Sequence, residues 1–587
     1  DYSIKDEIDY IKRFYTQKRK MGIESFGTIF YKKKFKDVQV KKIPGYVKSL
    51  FIDCNGIFHK SKGSVFPVIS KYGIPIPEKD LEKIKKKYSK SGLRKIYLKH
   101  IIDSLDEILT SFKPRDVLVI APDGTANAAK LSQQKGRRFG LKEEEFYTFD
   151  GNSLTPGTEI MIEIDKEIMK WLKIRRKEGK LPPITVYSSH MDPGEGEHKI
   201  FQYIREGIVP VSSDEEEEEG ANIVYGADGD LFILSTLSSL GNIYLYRDNF
   251  GTLFSIEKFK DVIYDMLYFD GCDEKRIYQD FSLLAIFVGN DFVTKFPNLP
   301  GTGETLIDIM FRIYNKSKEH ITDSENNIIW ANFLVILKRL GNWKIKGQDD
   351  TYIYAYNKLK YPVRSMKDYI TVKDHRGKKV DWDNGDFDQS KHTRTFDRQG
   401  FEKVWYESQF KPRDTKFYKG NEYYTRKDVY NICVDYLKIL QWVQYYYTRG
   451  YREVSDHYFY AYRITPLVHN LSFYLSSIID RDEEKILRNG IMKGEGGDFS
   501  ITPIHQLLSV LPVESIDLIP PQFRPIYDHL GVINPSVYTC PHPENTNSAY
   551  HTFPLVPPIN LDLVNYYIKE SEIPIPSKYN EVDKIYG

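Results

Sequence analysis

At 587 residues the chain is long enough to bury a large core and to form two or more domains. Its 84 Lys and Arg nearly cancel 82 Asp and Glu, leaving a net charge of +2, which excludes a uniformly basic coat for nucleic acid. Four scattered cysteines without a CxxC pair (Cys54, Cys272, Cys433 and Cys540) speak against a secreted disulfide scaffold.

Taken in chain order, residues 1–20 are polar and charged and read as a helical extension. The start, DYSIKDEIDYIKR, is no secretory signal, and no apolar run approaches the ~18 residues of a membrane span, so a soluble intracellular protein is expected. From Met21 to about residue 342 short apolar runs alternate with helical periodicity, the pattern of an α/β sheet. YVKSLFID (46–53), DVLVIAPD (116–123), ITVYSS (184–189) and NIVYGAD (222–228) are strand candidates. KIYLKHIIDSLDEILTSF (95–112) carries apolar residues at 98, 101, 102, 105, 108 and 109, one helix face. DEEEEEG (214–220) reads as a solvated acidic loop. Residues 343–400 are polar, Asp-rich and poorly periodic, so they read as a linker or insertion. Periodicity returns in VYNICVDYLKILQWVQYYYTRGY (429–451), within a second region, 401–587. Beyond 510, Pro-rich segments read as chain packed over a surface rather than as new strands.

Three strand candidates finish on aspartate: Asp53, Asp123 and Asp228, with Asp230 two residues on. Ligands of open α/β sheets collect outside the carboxyl ends of the strands, so these acids are expected around one crevice. PGEGEHKI (193–200) adds Glu195 and Glu197 ahead of a helix, KIFQYIRE, and GND (289–291) adds Asp291 after the apolar helix FSLLAIFV. Any one of these acids is explained as a turn or helix cap, and DGD (228–230) as a plain turn. Seven together would repel strongly without cations, and an oxygen-rich set without Cys suits Mg²⁺ or Mn²⁺ rather than zinc. Two such ions ~3.5–4 Å apart can stabilise both the attacking and the leaving oxygen of a phosphodiester.

After Asp123, TANAAKLSQQKGRRF (125–139) reads as a helix until its glycine. Lys130, Gln134, Arg137 and Arg138 fall at i, i+4, i+7 and i+8 on one face. Composition alone would make this a solvated basic face. Its place beside a metal-ligand candidate favours a compact anion socket suited to a terminal phosphate.

MGIESF, FIDCNGIFH, PDGTANAAKLSQQKGRRF, FDGNSLTPGTE, DPGEGEHKI, YGADGDLFIL and GNDF, in this order, closely resemble the eukaryotic XRN family of 5′→3′ exoribonucleases. ILQWVQYYYTRG (439–450) and SAYHTFPLVPP (548–558) resemble that family's second conserved region. The resemblance implies an α/β, PIN-like nuclease core of the flap-endonuclease type over 21–342, with a mostly parallel central sheet. It implies a mainly helical second region bracing the core and walling off the active site. By position, it makes Asp53, Asp123, Glu195, Glu197, Asp228, Asp230 and Asp291 the metal-binding and catalytic carboxylates. Lys130, Gln134, Arg137 and Arg138 become the 5′-phosphate pocket, and His59 stacks on the first base. Where the family carries a Trp-x-Trp pair this chain has Asp456 and Tyr458, which makes Tyr458 the stacking partner of His59. Asn127 and Ala128 replace the family's Pro and Arg, and the Met-Gly that usually begins the family stands internally here, at Met21 and Gly22.

The expected function is processive 5′→3′ hydrolysis of single-stranded, 5′-monophosphorylated RNA to mononucleotides with two Mg²⁺, Mn²⁺ substituting. The rivals are a structure-specific flap endonuclease on DNA and a non-catalytic RNA-binding scaffold. A monomer with no membrane partner is expected, without the long C-terminal domains of the large family members. The expected address is the cytoplasm, with the nucleus as an alternative and a viral factory or virion if the chain is virus-encoded.

Overall fold

The structure, a computed structural model, describes residues 35–65, 90–140, 151–210, 220–248, 251–293, 306–341, 370–374, 377, 392–410, 424–462, 464–534 and 557–575. The expected extension 1–20, Met21 and Gly22, the acidic run 214–219, and most of 343–400 and 548–558 lie outside the described residues.

β-branched and aromatic runs form seven strands: β1 (Gln39–Val40), β2 (Val47–Asp53), β3 (Val117–Ala121), β4 (Ile184–Tyr187), β5 (Ala221–Tyr225), β6 (Ile243–Arg247) and β7 (Thr252–Ser255). They make one sheet in the order β1-β7-β6-β5-β2-β3-β4. The five strands from β6 to β4 are parallel, and β7 and β1 run antiparallel along one edge. Every residue of β2, β3 and β5 is buried, as expected of parallel strands covered on both faces.

The alternation of side chains assigns those faces. Leu50, Ile52, Leu118, Ile120 and Ile223 pack with helices α1 (Asn55–Val65), α2 (Lys90–Phe112) and α4 (Glu159–Lys177). Phe51, Val119 and Val224 face the opposite layer, which holds α5 (Gly196–Arg205), α6 (Asp230–Leu237), α7 (Glu274–Phe287) and α8 (Arg426–Thr448). Helix α3 (Ala128–Gly140) lies against a third apolar cluster. There Ala128 and Leu131 meet Ile504, Leu507 and Leu508 of α9 (Pro503–Val510) and Val564 of α10 (Leu561–Glu570).

From β2 the chain steps to β3 and then β4 on one side, whereas β5 pairs with the other side of β2. The carboxyl end of β2 is therefore the topological switch point, where α/β sheets open a crevice. The α/β class with a mostly parallel sheet is the one expected, and the second region is mainly helical. Its long helix α8 opens on a capping box between Thr425 and Asp428. Buried Gln441 and Gln444 tie that helix to the core by accepting from Ile328 N–H at 2.8 Å and donating to Gln279 O at 3.1 Å. No helix of the described residues is long and apolar enough to cross a membrane.

Three local expectations need correction. Only β2 ends on its aspartate; β3 stops two residues before Asp123 and β5 three before Asp228, so both acids stand on the turns that follow. Helix α3 starts later than expected, at Ala128, and continues through Gly136, where a Cβ would meet nothing within 4 Å. A single glycine inside a helix costs only ~1 kcal/mol. The helix after PGEGEH begins at Gly196 rather than Lys199, which brings Glu197 into its first turn. Within 343–400, the strands β8 (Ile370–Asp374) and β9 (His392–Phe396) pair antiparallel.

Candidate active site

Two loops are zipped together at the switch point. Gly124 N–H donates to Gly194 O at 2.8 Å, and Gly194 N–H donates to Thr125 O at 2.9 Å. The approach requires glycine, because a Cβ on Gly124 would stand 1.5 Å from Asp192 O. Gly196 is equally constrained: its Cβ would lie 2.6 Å from Ala121 O and 2.7 Å from Asp53 Oδ1. The missing side chain lets the start of α5 slide over the ends of β2 and β3. There Gly196 N–H donates to Asp123 Oδ1 at 2.8 Å, and Asp123 N–H donates to Asn55 Oδ1 at 3.1 Å.

Around this junction the seven carboxylates gather. Asp53, Glu197 and Asp228 each offer an oxygen lying within 4.8 Å of the others'. Glu195 occupies the N-cap of α5 and Glu197 its first turn, where the helix dipole favours negative charge. Asp230 opens α6, and Asp291 follows α7. Lys130 of α3 bridges two members of the ring, pairing with Glu195 and donating to Asp291 Oδ2 at 2.8 Å.

The charges feel one another strongly. Burial first, then repulsion from Asp123 and Asp228, pushes the Asp53 carboxyl well above the usual range. Burial followed by the charges of Glu195, Asp53 and Asp123 does the same to Glu197. Asp230 is pushed up to about 7 by burial and Asp291, against a hydroxyl hydrogen bond from Tyr447. Asp291 moves the other way: burial would raise it, but the Lys130 charge and hydrogen bond, with Arg137 beyond, hold it below its ordinary value. Burial would lower Lys130, yet Asp291, Glu195 and Glu197 hold its ammonium well above the usual lysine range.

Residues of the second region, unassigned from sequence, close the site from above. The Tyr446 hydroxyl donates to Glu195 Oε1 at 2.9 Å, and the Tyr447 hydroxyl donates to Asp230 Oδ2 at 2.5 Å. Burial, then the adjacent carboxylates, keeps both phenols protonated, so they act as donors. His198 packs beneath, its ring 3.9 Å from that of Tyr446, and burial pushes it well below its ordinary value. The only sequence signal for this roof was three consecutive tyrosines at the end of an apolar helix.

The basic face is partly drawn inward. Lys130 points into the carboxylates, while Gln134 accepts from Arg138 Nη2 at 3.2 Å and from Gln506 Nε2 of α9 at 3.0 Å. Arg137 is exposed at the end of the same face. His59 is exposed on α1 at the lip of a hollow lined by Asn55, Phe58, Asp123, Leu154, Pro156 and Met161. Tyr458 is not among that lining. Its hydroxyl donates to Asp435 O at 3.1 Å and its ring lies 5.1 Å from the Lys438 ammonium.

A family model described as the XRN 5′-3′ exonuclease N-terminus matches residues 21–146 and 141–249, a span that holds every site residue named above except Asp291 and the second-region contacts. Over those residues the chain is similar to the XRN family. The 5′-3′ exoribonuclease 1 of Schizosaccharomyces pombe is 24% identical over 621 residues, covering 83% of this chain and 43% of that protein. The human 5′-3′ exoribonuclease 1 is 25% identical over 512 residues, covering 73% of this chain and 28% of that protein. The chain thus spans less than half the length of either XRN relative. A solved bacteriophage T5 flap endonuclease, in complex with DNA and metal ions, aligns at 11% identity over 53% of this chain and 91% of its own, with a TM-score of 0.25.

The residues present suit hard divalent cations. The donors of the Asp53, Glu197 and Asp228 set are all carboxylate oxygens, and Asp230 Oδ1 is buried without a hydrogen-bond partner. A pH dependence follows. A carboxyl raised in the folded state binds its proton more tightly there, so its stabilising contribution is complete below the unfolded value of ~4 and is lost as pH rises through the folded one. For Asp230 that window runs up to about 7. Cations compete with these protons, so the melting-temperature difference between Mg²⁺-loaded and chelated protein should widen steadily from pH 5 to pH 8. Thermal melts across that range test it; a cation-induced shift that ignored pH would remove these acids from the binding site.

Proposed function

We propose that this chain is a divalent-metal-dependent 5′→3′ exoribonuclease acting on single-stranded RNA with a 5′-monophosphate. The observation that carries the reading is the junction of two unlike sites through one side chain: Lys130 belongs to the basic face of α3 and also touches Glu195 and Asp291. A phosphate held by that face would lie next to the carboxylates, so the scissile bond would be counted from the chain end.

Asp53, Glu197 and Asp228 would hold one cation, and Asp123, Glu195, Asp230 and Asp291 complete the ligand field for a second, with Mg²⁺ or Mn²⁺ the ions of choice. When bound, such ions supply an acidified water and polarise the phosphodiester. The protein's own groups do the rest. Tyr446 and Tyr447 fix the rotamers of Glu195 and Asp230, and the dipole of α5 offsets part of the negative charge at its N-terminus. Gln134, Arg137 and Arg138 present donors to the terminal phosphate. His59 offers a ring on which the first base can stack, a sequence-tolerant grip worth ~1–3 kcal/mol. Release of a mononucleotide exposes a new 5′-phosphate for the same socket, which supports processive digestion.

A time course on RNAs differing only at the 5′ end tests the proposal. Monophosphate RNA should vanish into mononucleotides at least ~100-fold faster than hydroxyl, triphosphate or capped forms, because a misfit end leaves charged donors unpaired. Release of oligomers from a flapped DNA duplex, with RNA untouched, would replace this reading by the endonuclease one.

A further inference from the structure

The strongest unexplained polar contact lies between the two regions of the chain. Gln506 is completely buried in α9, among Ile504, Leu507 and Leu508. A primary amide in such a place is costly unless its donors and acceptor are met. Gln506 Oε1 accepts from Ala126 N–H at 3.1 Å, and its Nε2 donates to Gln134 Oε1 at 3.0 Å. The same Gln134 oxygen accepts from Arg138 Nη2 at 3.2 Å.

This chain of bonds has a direction. A backbone N–H and a guanidinium can only donate, so the atoms facing Ala126 and Arg138 must be amide oxygens. With its oxygen committed to Ala126, Gln506 has only its NH₂ to offer Gln134. Gln134 must answer with oxygen, which turns its own NH₂ away from both partners. An amide that rotates by half a turn exchanges donor for acceptor at little steric cost, so nothing in Gln134 itself fixes which end meets a ligand.

We infer that Gln506 is a positioning residue that sets the amide of Gln134 as a donor toward the anion socket, an inference that rests on the 5′-phosphate reading of that face. Gln506 touches no substrate. It transmits the polarity of a backbone N–H, through one buried amide, to a side chain that faces a phosphate. Specificity for a phosphorylated end is thereby written partly in the second region.

The test compares Gln506→Glu and Gln506→Met with wild type on RNAs of one sequence bearing a 5′-monophosphate or a 5′-hydroxyl. In Gln506→Glu both terminal atoms are acceptors, so Gln134 must turn its NH₂ inward and show its oxygen to the phosphate. Gln506→Met keeps length and burial and leaves Gln134 held by Arg138 alone. The ratio of kcat/KM for the two RNAs should fall ~10- to 100-fold in Gln506→Glu and less in Gln506→Met, through a higher KM for monophosphate RNA rather than a lower kcat. Calorimetric binding of a 5′-phosphorylated oligonucleotide in a Glu197→Gln background should weaken in the same order. In a Gln134→Leu background, Gln506→Met should change the ratio no further. A folded Gln506→Met protein that loses rate equally on both RNAs, with the ratio kept, assigns Gln506 a structural role and overturns the inference. A wild type indifferent to its 5′ end would overturn the socket reading beneath it.

Discussion

Glu197→Gln is expected to abolish phosphodiester cleavage while leaving the protein folded and able to bind RNA. Glu197 lies in the first turn of α5, buried, with an oxygen within 4.8 Å of donor oxygens of Asp53 and Asp228. The amide keeps the shape of the side chain and removes one negative ligand from a site built for a hard cation. Loss of transition-state charge stabilisation of about 4 kcal/mol or more corresponds to ~10³-fold or more in kcat. The same substitution relieves repulsion, because burial and then Glu195, Asp53 and Asp123 are what push the Glu197 carboxyl upward. Chelated Glu197→Gln protein should therefore melt no lower than chelated wild type at pH 8, and Mg²⁺ should raise its melting temperature less. Near-normal kcat in saturating Mg²⁺ would take Glu197 out of the catalytic centre.

The second large effect concerns the far end of α3. Arg137→Ala combined with Arg138→Ala should slow digestion of monophosphate RNA ~100-fold and compress its advantage over hydroxyl RNA to within a few-fold. Two guanidiniums provide charge-assisted hydrogen bonds of about 1.5–3 kcal/mol each to a phosphate. Arg137 is exposed and Arg138 half-buried, so the pair is removable without opening the core. Arg137 also lowers the Asp291 carboxyl through space, so the variant should release Asp291 slightly upward. That change is small beside the Lys130 contact, and cation-induced thermal stabilisation should survive. Single-turnover rates on the two RNAs, with a melt in Mg²⁺, check both halves of the expectation. A double variant that kept its full preference for the monophosphate would show that the socket lies elsewhere and that these arginines are only a solvated face.

Which parts of this site could be read from the sequence follows from how local the determining forces are. Asp53 was legible because the apolar run LFI belongs to a fully buried parallel strand, and the acid that follows it falls at the strand's end. The face of α3 was legible because helical spacing alone aligns Lys130, Gln134 and Arg138. Its continuation through Gly136 was missed because a glycine signal is local, while packing of α3 on α9 is not. The inward turn of Lys130 depends on Asp291, which is 161 residues away. The roof is more remote still: Tyr446 meets Glu195 across 251 residues and Gln506 meets Gln134 across 372. No periodicity encodes such pairings. The family resemblance assigned the acids, the basic face and the pairing of His59 with Tyr458 by position; the hydroxyl of Tyr458 donates to Asp435 O, a contact no motif announces.

The tyrosine contacts from α8 have a consequence for the order in which the molecule becomes whole. A ribosome that has translated as far as Asp291 has already made all seven acids, yet it has made neither of the hydroxyls that hold Glu195 and Asp230 in place. The nascent first region is a crowd of carboxylates without its ceiling, and the amide that turns Gln134 arrives more than 200 residues later. A site assembled in this way stays incomplete until the second region has been made. Breaking the chain anywhere between the two regions separates the charges from the groups that arrange them.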